Sequence, residues 1–188
     1  MQSVSAMTNP ILDNWHVWIV TVALIVAAVI DGIKLKVPNW LTFPFIISGW
    51  VYSSVCFGVE GLGWSLLGTC VGLALLLPAY AVGGMGAGDV KLLAGVGAWM
   101  HATHTFWGFS VAAIVGAVLA VIMVLYLKRW KKHASQFWMI AQEIMVIRDP
   151  NELSRIAADR KSSMLLLPYG IPIAIGCIVY FAWQGMLI

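Results

Sequence analysis

The sequence has 188 residues, of which 61% are hydrophobic and only 10% are charged, and its formal net charge is +3. Soluble globular domains carry about 25% charged residues, and the mean hydropathy here is +0.90. Composition therefore excludes a soluble domain and predicts an integral membrane protein. Because a helix needs roughly 20 residues to cross about 30 Å of hydrocarbon, the length predicts an all-α bundle of membrane helices in a single domain, residues 1–188.

Hydropathy predicts about six membrane-spanning helices along the chain. They cover roughly 15–30, 40–57, 62–82, 89–100, 105–127 and 164–187. The fourth is too short to cross a full bilayer unless the glycine-rich loop before it dips below the membrane surface. The residues before Trp15 contain no Lys or Arg and no clear cleavage site, so we expect the first helix to be retained and not removed as a signal peptide.

The basic residues set the orientation of these helices. Lys34 and Lys36 lie between the first and second helices, Lys91 lies beside the turn into the fourth, and all the others fall between 128 and 161. In a six-helix arrangement all 11 Lys and Arg share one face. Since Lys and Arg are retained in the cytoplasm, this pattern predicts an N-out, C-out topology.

A polar segment at about 128–163 separates the last two predicted helices. Its middle has apolar residues at helical spacing between basic flanks, which favours an amphipathic helix lying on anionic lipid. The segment could equally be a cytoplasmic loop that carries topogenic charges, or a docking site for a substrate. We expect a cytoplasmic amphipathic loop here.

Asp31 and Asp89 are the acidic residues that adjoin predicted membrane helices at the cytoplasmic side. A carboxylate at membrane depth costs a few kcal/mol, which makes it a candidate for a functional site. Taken singly, each has a structural explanation: Asp31 could form a solvated pair with Lys34, and Asp89 could cap the helix that it begins. Topology nevertheless predicts that both lie at the same membrane face, which favours a paired role.

Two neighbouring carboxyls supply an acid and a base to one site, because they cannot both ionise easily and one then retains a proton. The ionised carboxylate can take a proton from water as it attacks a peptide carbonyl, while its partner donates a proton to the carbonyl oxygen. This chemistry requires no metal, cofactor or covalent intermediate. Lys91, two residues from Asp89, favours Asp89 as the ionised base and Asp31 as the acid.

Four glycines precede Asp89, at positions 83, 84, 86 and 88. Glycine permits close backbone approach, so an extended substrate peptide could lie against this stretch. The alternative is tight helix packing, because Gly84 and Gly88 have the small-x-x-x-small spacing.

Asp31 is followed by Val-Pro-Asn at 37–39, Asp89 ends Gly-Ala-Gly-Asp at 86–89, and Pro-Tyr-Gly stands at 168–170. Together these stretches resemble the motifs of the type IV prepilin peptidases, which are membrane aspartic peptidases of the GxGD class. Residues 86–89, Gly-Ala-Gly-Asp, match GxGD, and Lys91 continues that motif. Asp31 with the following Val-Pro-Asn at 37–39 is similar to the family's first aspartate run. Pro-Tyr-Gly at 168–170 resembles a third element, with Ile171 where the family more often has proline.

The resemblance implies that Asp31 and Asp89 are the catalytic pair. It implies supporting roles for the other motif residues, which are Pro38, Asn39, Gly86, Gly88, Lys91, Pro168, Tyr169 and Gly170. The implied reaction is cleavage of a short basic leader from pilin-like precursors at the cytoplasmic face of a bacterial inner membrane. The expected partners are such a prepilin and membrane lipid, and we expect no cofactor, metal or nucleic acid.

Larger members of that family carry an N-terminal cytoplasmic domain with paired cysteines and also methylate the new N-terminus. The residues before Trp15 are too few for such a domain. The chain therefore resembles the short, peptidase-only form that accompanies Tad/Flp pilus systems, and we expect no methyltransferase activity.

Two other classes of protein also fit parts of this pattern. A transporter or proton channel would explain membrane-depth aspartates and helices interrupted by glycine or proline, but it predicts acidic groups along a through-pathway, whereas both aspartates are predicted at one face. A structural subunit of an assembly would use the glycines for packing, and it leaves the aspartate pair unexplained.

Overall fold

The computed structural model describes residues 14–81, 84–126 and 168–187, and every regular element in these ranges is helical. We name the helices α1 (Trp15–Lys34), α2 (Asn39–Ala81), α3 (Ala87–Tyr126) and α4 (Gly170–Trp183). The first three are long and apolar enough to cross a membrane, and α4 is a shorter apolar helix. The predicted loop at 128–163, Gly83 and the beginning of the last predicted helix, 164–167, lie outside the described residues.

Helix α2 is a hairpin of two arms that reverse direction at Gly58. This residue has φ 67° and ψ −153°, a conformation that glycine adopts readily because it has no Cβ. Trp50 Nε1 donates a hydrogen bond to Thr69 Oγ1 at 3.0 Å although the two residues are 19 positions apart. In a continuous helix they would be about 28 Å apart. We call residues 39–57 the first arm of α2 and residues 59–81 its second arm.

Helix α3 reverses in the same way at His101, which has φ 60° and ψ 179°. Met85, just before α3, and Ala120, near its end, line the same cavity, which a straight helix of this length would not allow. Residues 87–100 are the first arm of α3 and residues 102–126 its second arm. Few residues other than glycine adopt the backbone angles of His101, and those that do are held in place by their surroundings. At His101 the carbonyl accepts a hydrogen bond of 2.6 Å from Thr105 Oγ1.

These segments differ from the hydropathy prediction mainly at their ends. The predicted breaks at 58–61 and 101–104 are helical except for Gly58 and His101 themselves. Polar side chains such as Glu60 and His104 lower the local hydropathy without interrupting the backbone hydrogen bonds, so the helices continue through them. Helix α1 also continues to Lys34, which puts Asp31 inside its last turn. That six segments cross a membrane, N-out and C-out, stays a prediction.

The first arm of α3 is the centre of the bundle. Leu92, Leu93 and Val96 on this arm are fully buried. The second arm of α2 packs on it through glycines: Gly68 lies against the backbone of Gly97, and a Cβ on either residue would overlap the other's carbonyl oxygen. Small residues at such contacts let membrane helices approach closely.

Replacing Gly97 by Ala should therefore destabilise the bundle, although alanine alone is the better helix former by about 1 kcal/mol. Forcing a methyl group into this contact should cost about 1–3 kcal/mol, measured as a lower midpoint of thermal unfolding in detergent. Gly63→Ala is the matched control, because nothing lies within 4 Å of a Cβ at that position. Equal midpoints for the two variants would contradict this account of the packing.

The helices bring three separated stretches to one end of the bundle, and we call residues 31–39, 84–91 and 168–171 the motif end. Asp31 contacts Gly170 there, and Lys91 contacts Asn39. At the opposite end, stacked and edge-on aromatic rings join α1 to the first arms of α2 and α3; the ring centres of Trp15 and Trp99 lie 5.1 Å and 5.0 Å from that of Tyr52.

Candidate active site

Asp31 lies in the last turn of α1 and is 2% exposed. Its Oδ2 accepts a hydrogen bond from the Gly170 backbone N–H at 2.7 Å. A buried carboxyl needs such a partner, because burying it alone is costly. Lys34 is exposed one turn later, so a solvated pair between these two residues does not explain Asp31.

Asp89 lies in the first turn of α3 and is 5% exposed. Its Oδ2 accepts the Gly86 N–H at 3.2 Å, and its own N–H donates to the Gly86 carbonyl, also at 3.2 Å. This is the arrangement in which the third residue of a helix reaches back to the capping residue. Asp89 thus stabilises the helix start from inside the first turn, whereas the sequence suggested that it would be the cap itself.

The Tyr169–Gly170 dipeptide at the beginning of α4 lies close to the stretches that carry the aspartates. The Gly170 N–H donates a hydrogen bond to Asp31 Oδ2, and Tyr169 lines the same cavity as Met85, which lies four residues before Asp89. A Cβ at position 170 would lie 2.9 Å from Asp31 Oδ2, so glycine is required for this approach. Asp31 therefore contacts the start of α4, and the loop that leads into Asp89, 58 positions further along the sequence, lies beside the same dipeptide.

The Val-Pro-Asn stretch at 37–39 packs against the GxGD stretch. A Cβ at Gly88 would lie 2.5 Å from the Val37 carbonyl oxygen and 2.9 Å from Val37 Cβ. Lys91 Nζ donates to Asn39 Oδ1 at 3.0 Å and lies 4.6 Å from the centre of the Phe43 ring. These contacts hold the beginning of α3 against the beginning of α2.

The remaining residues of these stretches form backbone hydrogen bonds at the ends of the helices. The Pro38 carbonyl accepts the N–H groups of Leu41 and Thr42 at the beginning of α2, and the Pro168 carbonyl accepts that of Ile171 at the beginning of α4. Gly84 donates its N–H to the Ala79 carbonyl at 2.9 Å. Gly84 therefore closes the end of α2, which differs from the helix packing considered for the Gly84 and Gly88 pair.

Removing the hydrogen bond between Lys91 and Asn39 should weaken the contact between α2 and α3. The net contribution of such a bond to the free energy of unfolding is about 1 kcal/mol. We expect Lys91→Met and Asn39→Ala each to lower the midpoint of thermal unfolding in detergent, with the double variant no less stable than the less stable single one, as for two partners of one interaction. Fully additive losses would contradict the coupling.

The sequence analysis named Val37 only as part of the Val-Pro-Asn stretch, without a role, and it did not single out Met85; both residues are buried. Val37 forms the surface on which Gly88 packs, and Met85 lies in the glycine-rich loop. An apolar residue beside a motif carries little signal in a sequence that is 61% hydrophobic. Among the described residues, no three or more His, Cys, Asp or Glu side chains are grouped to hold a metal ion. The site thus offers two carboxyl groups in a largely apolar setting.

Comparisons with known proteins agree with these motifs. The family model described as "Type IV leader peptidase family" matches residues 18–121, a range that contains Asp31 and Asp89. A "Prepilin leader peptidase/N-methyltransferase" from Aeromonas hydrophila is 29% identical over 114 residues, which are 57% of this chain and 39% of that protein. A protein of the same name from Neisseria gonorrhoeae is 32% identical over 112 residues, again 39% of its length.

The match therefore covers well under half the length of these curated relatives. No solved structure matches the chain. The family match covers more than half of the 188 residues and includes two of the three stretches that meet at the motif end. The chain therefore belongs to the type IV leader peptidase family.

Proposed function

We propose that this protein is a membrane aspartic endopeptidase that removes the basic leader from prepilin-like precursors. Membership of the type IV leader peptidase family supports a peptidase with prepilin substrates. The observation that carries the assignment of residues is that two buried carboxyls, Asp31 and Asp89, lie at the motif end of the bundle, where the three motif stretches contact one another. Burying a carboxyl is costly, and ionisable groups within membrane proteins are most often functional, so the burial of both at this end favours a shared role.

In the proposed reaction one carboxylate takes a proton from water while the water oxygen bonds to the carbonyl carbon of the scissile peptide. The other carboxyl, which holds a proton, donates it to the carbonyl oxygen and so stabilises the tetrahedral intermediate. When the C–N bond breaks, the carboxyl that took the proton from water passes it to the leaving amine, and the intermediate returns a proton to the other carboxylate. One water is consumed, and the products are a leader with a new carboxyl group and a mature chain with a new amine.

We further propose that the motif end faces the cytoplasm at a bacterial inner membrane, with six segments crossing N-out and C-out. Exposed Lys34 and Lys36 and half-buried Lys91 lie at this end, as expected for a cytoplasmic face. Residues 128–163, proposed as a cytoplasmic amphipathic loop of the same single domain, fall outside the described part of the chain. A leader that remains in the cytoplasm would meet the aspartates there.

Co-expression with a prepilin precursor tests this function. The precursor carries a basic leader and a C-terminal tag, so that cleavage gives a shorter tagged band whose new N-terminus can be sequenced. We expect a single cut at the end of the leader when the protein is present and intact precursor when it is absent. A precursor that stays intact although the protein accumulates in the membrane would refute the proposal.

The relatives' names also include an N-methyltransferase activity. We propose that this chain acts as a peptidase only. The mass of the mature N-terminal peptide from the same co-expression tests this: an unmodified amine is expected, and an added methyl group that depends on this protein would refute it.

A further inference from the structure

Three half-buried histidines lie at the end of the bundle opposite to the motif end, and we call His16, His101 and His104 the histidine cluster. His16 lies in the first turn of α1, His101 is the residue at which α3 reverses, and His104 follows in the second arm of α3. The proposed peptidase mechanism uses none of these side chains.

Two of the histidines hold other helices to the first arm of α2. The His16 ring stacks on the Tyr52 ring, with ring centres 5.6 Å apart, and this contact joins α1 to α2. His101 Nε2 lies 3.4 Å from Ser53 Oγ, which joins the reversal of α3 to the same arm.

The third histidine joins α3 to α4. His104 Nδ1 lies at a hydrogen-bond distance of 2.9 Å from the Tyr180 hydroxyl oxygen. The histidine cluster thus contributes to contacts among all four helices at this end of the bundle.

The described part of the chain offers the histidine cluster little opposite charge. Glu60 is the one charged side chain that the structure describes near this end, and it is exposed. The other titratable groups on the helices packed against the cluster are Tyr52 and Cys56 of α2 and Tyr180 and Cys177 of α4. Phenols and thiols are ordinarily uncharged at neutral pH, so they do not neutralise a protonated imidazole.

Protonation should therefore weaken the contacts at this end. An imidazole ordinarily takes up a proton near pH 6.5, and burial disfavours its charged form. His16 Nδ1 is buried and has no hydrogen-bond partner among the described groups, so a proton on this nitrogen would find no acceptor there. Protonation of His101 and His104, three positions apart, would also bring two positive charges together.

These effects fix the direction of the pH dependence. The unfolded chain, whose imidazoles are in water, binds the protons more readily than the folded protein. The contribution of the neutral imidazoles to stability is therefore complete above about pH 6.5 and is lost as the pH falls below that value.

We propose that the histidine cluster makes this end of the bundle sensitive to acid: neutral imidazoles hold the four helices together, and protonation below about pH 6 loosens them. In the proposed topology this end faces away from the cytoplasm, so the cluster responds to acidity on the side opposite to the candidate active site. The inference concerns the fold and does not depend on the peptidase function.

The test compares the wild type with a triple variant that combines His16→Asn, His101→Asn and His104→Asn. Asn stays uncharged, and its amide can still form hydrogen bonds. The midpoint of thermal unfolding in lipid nanodiscs is measured at about pH 7.5 and about pH 5.5, on either side of the ordinary histidine pKa. A tenfold loss in the folding equilibrium lowers the midpoint of a protein of this size by about 3–5 °C.

With three imidazoles to protonate, we expect the wild-type midpoint to fall by at least this amount at the lower pH, and the triple variant to show less than half of the fall. Titration of the carboxyl groups is common to both proteins and cancels in the comparison. His133→Asn is the matched control, because His133 is the remaining histidine of the sequence and lies in the segment proposed as a cytoplasmic loop. It should retain the wild-type fall.

An unchanged wild-type midpoint would overturn the inference, and so would equal falls in the wild type and the triple variant or a fall that His133→Asn removes. If the triple variant does not accumulate in the membrane, the three single variants decide the question. Each should then show a smaller fall than the wild type, and three falls equal to that of the wild type would overturn the inference.

Discussion

Asn at position 31 or position 89 should abolish leader cleavage, with a loss of at least about a hundredfold for each substitution. The reason is that Asn can neither accept the proton of the attacking water nor donate one as a carboxylic acid does, and general acid–base catalysis contributes about 10²–10⁴. The amide oxygen of Asn can still accept the N–H bonds of Gly170 or Gly86, so the fold should survive. The fraction of tagged prepilin that is processed, at equal amounts of membrane protein, measures the effect.

Glu60→Gln is the matched control for these variants. Glu60 is exposed near the reversal of α2, at the end of the bundle opposite to the motif end, where its Oε1 accepts a weak hydrogen bond of 3.4 Å from Trp64 Nε1. The same change of acid to amide should leave processing at the wild-type level there. Cleavage that survives in Asp31→Asn or in Asp89→Asn would remove that residue from the proposed mechanism.

Gly170→Ala should reduce the rate of cleavage about a hundredfold and should also lower the stability of the protein. The new Cβ would lie 2.9 Å from Oδ2 and 3.0 Å from Cβ of Asp31, so the carboxyl must move away from the Gly170 N–H. A displacement of about 1 Å at a catalytic group can cost about a hundredfold in rate, and the loss of the partner of a buried carboxyl should also lower the free energy of unfolding by about 1–3 kcal/mol. Cleavage rate and the midpoint of thermal unfolding in detergent, measured on the same preparation, separate the two effects.

Gly32→Ala controls for the effect of adding a methyl group at the same end of the bundle. A Cβ there would meet only Ile171 Cδ1, at an ordinary contact distance of 3.5 Å, so we expect activity close to that of the wild type. If Gly170→Ala were as active as Gly32→Ala, the hydrogen bond from Gly170 to Asp31 would not be what positions that carboxyl.

The aspartates and their neighbouring motifs could be predicted from the sequence because their signals are local. Asp31 and Asp89 stand out where charge is rare, and the basic residues near them predict that both lie at one membrane face. The structure agrees in bringing Asp31, the Val-Pro-Asn stretch, the GxGD stretch and Tyr169–Gly170 to one end of the bundle. Their catalytic role stays a prediction.

Other features could not be predicted because they depend on contacts between distant segments. The reversal of α3 occurs at His101, in a backbone conformation that residues other than glycine rarely adopt. The local sequence therefore does not predict it. The hydrogen bond to Asp31 comes from the backbone N–H of Gly170, which is far along the chain. Because nearly every residue has a backbone N–H, the sequence does not indicate which one forms this bond. The apolar cavity that Met85 and Tyr169 line is formed by three helices together, and each contributes residues that are ordinary in a membrane protein.

The claim that Asp31 and Asp89 form a peptidase centre is tested most directly with the purified protein and a synthetic prepilin peptide that contains the leader and the start of the mature chain. With the protein alone in lipid nanodiscs, we predict two fragments by mass spectrometry whose masses add up to that of the precursor plus one water. Preparations of Asp31→Asn and Asp89→Asn should yield neither fragment. An intact peptide with the wild-type protein, or the same two fragments with either variant, would contradict the account.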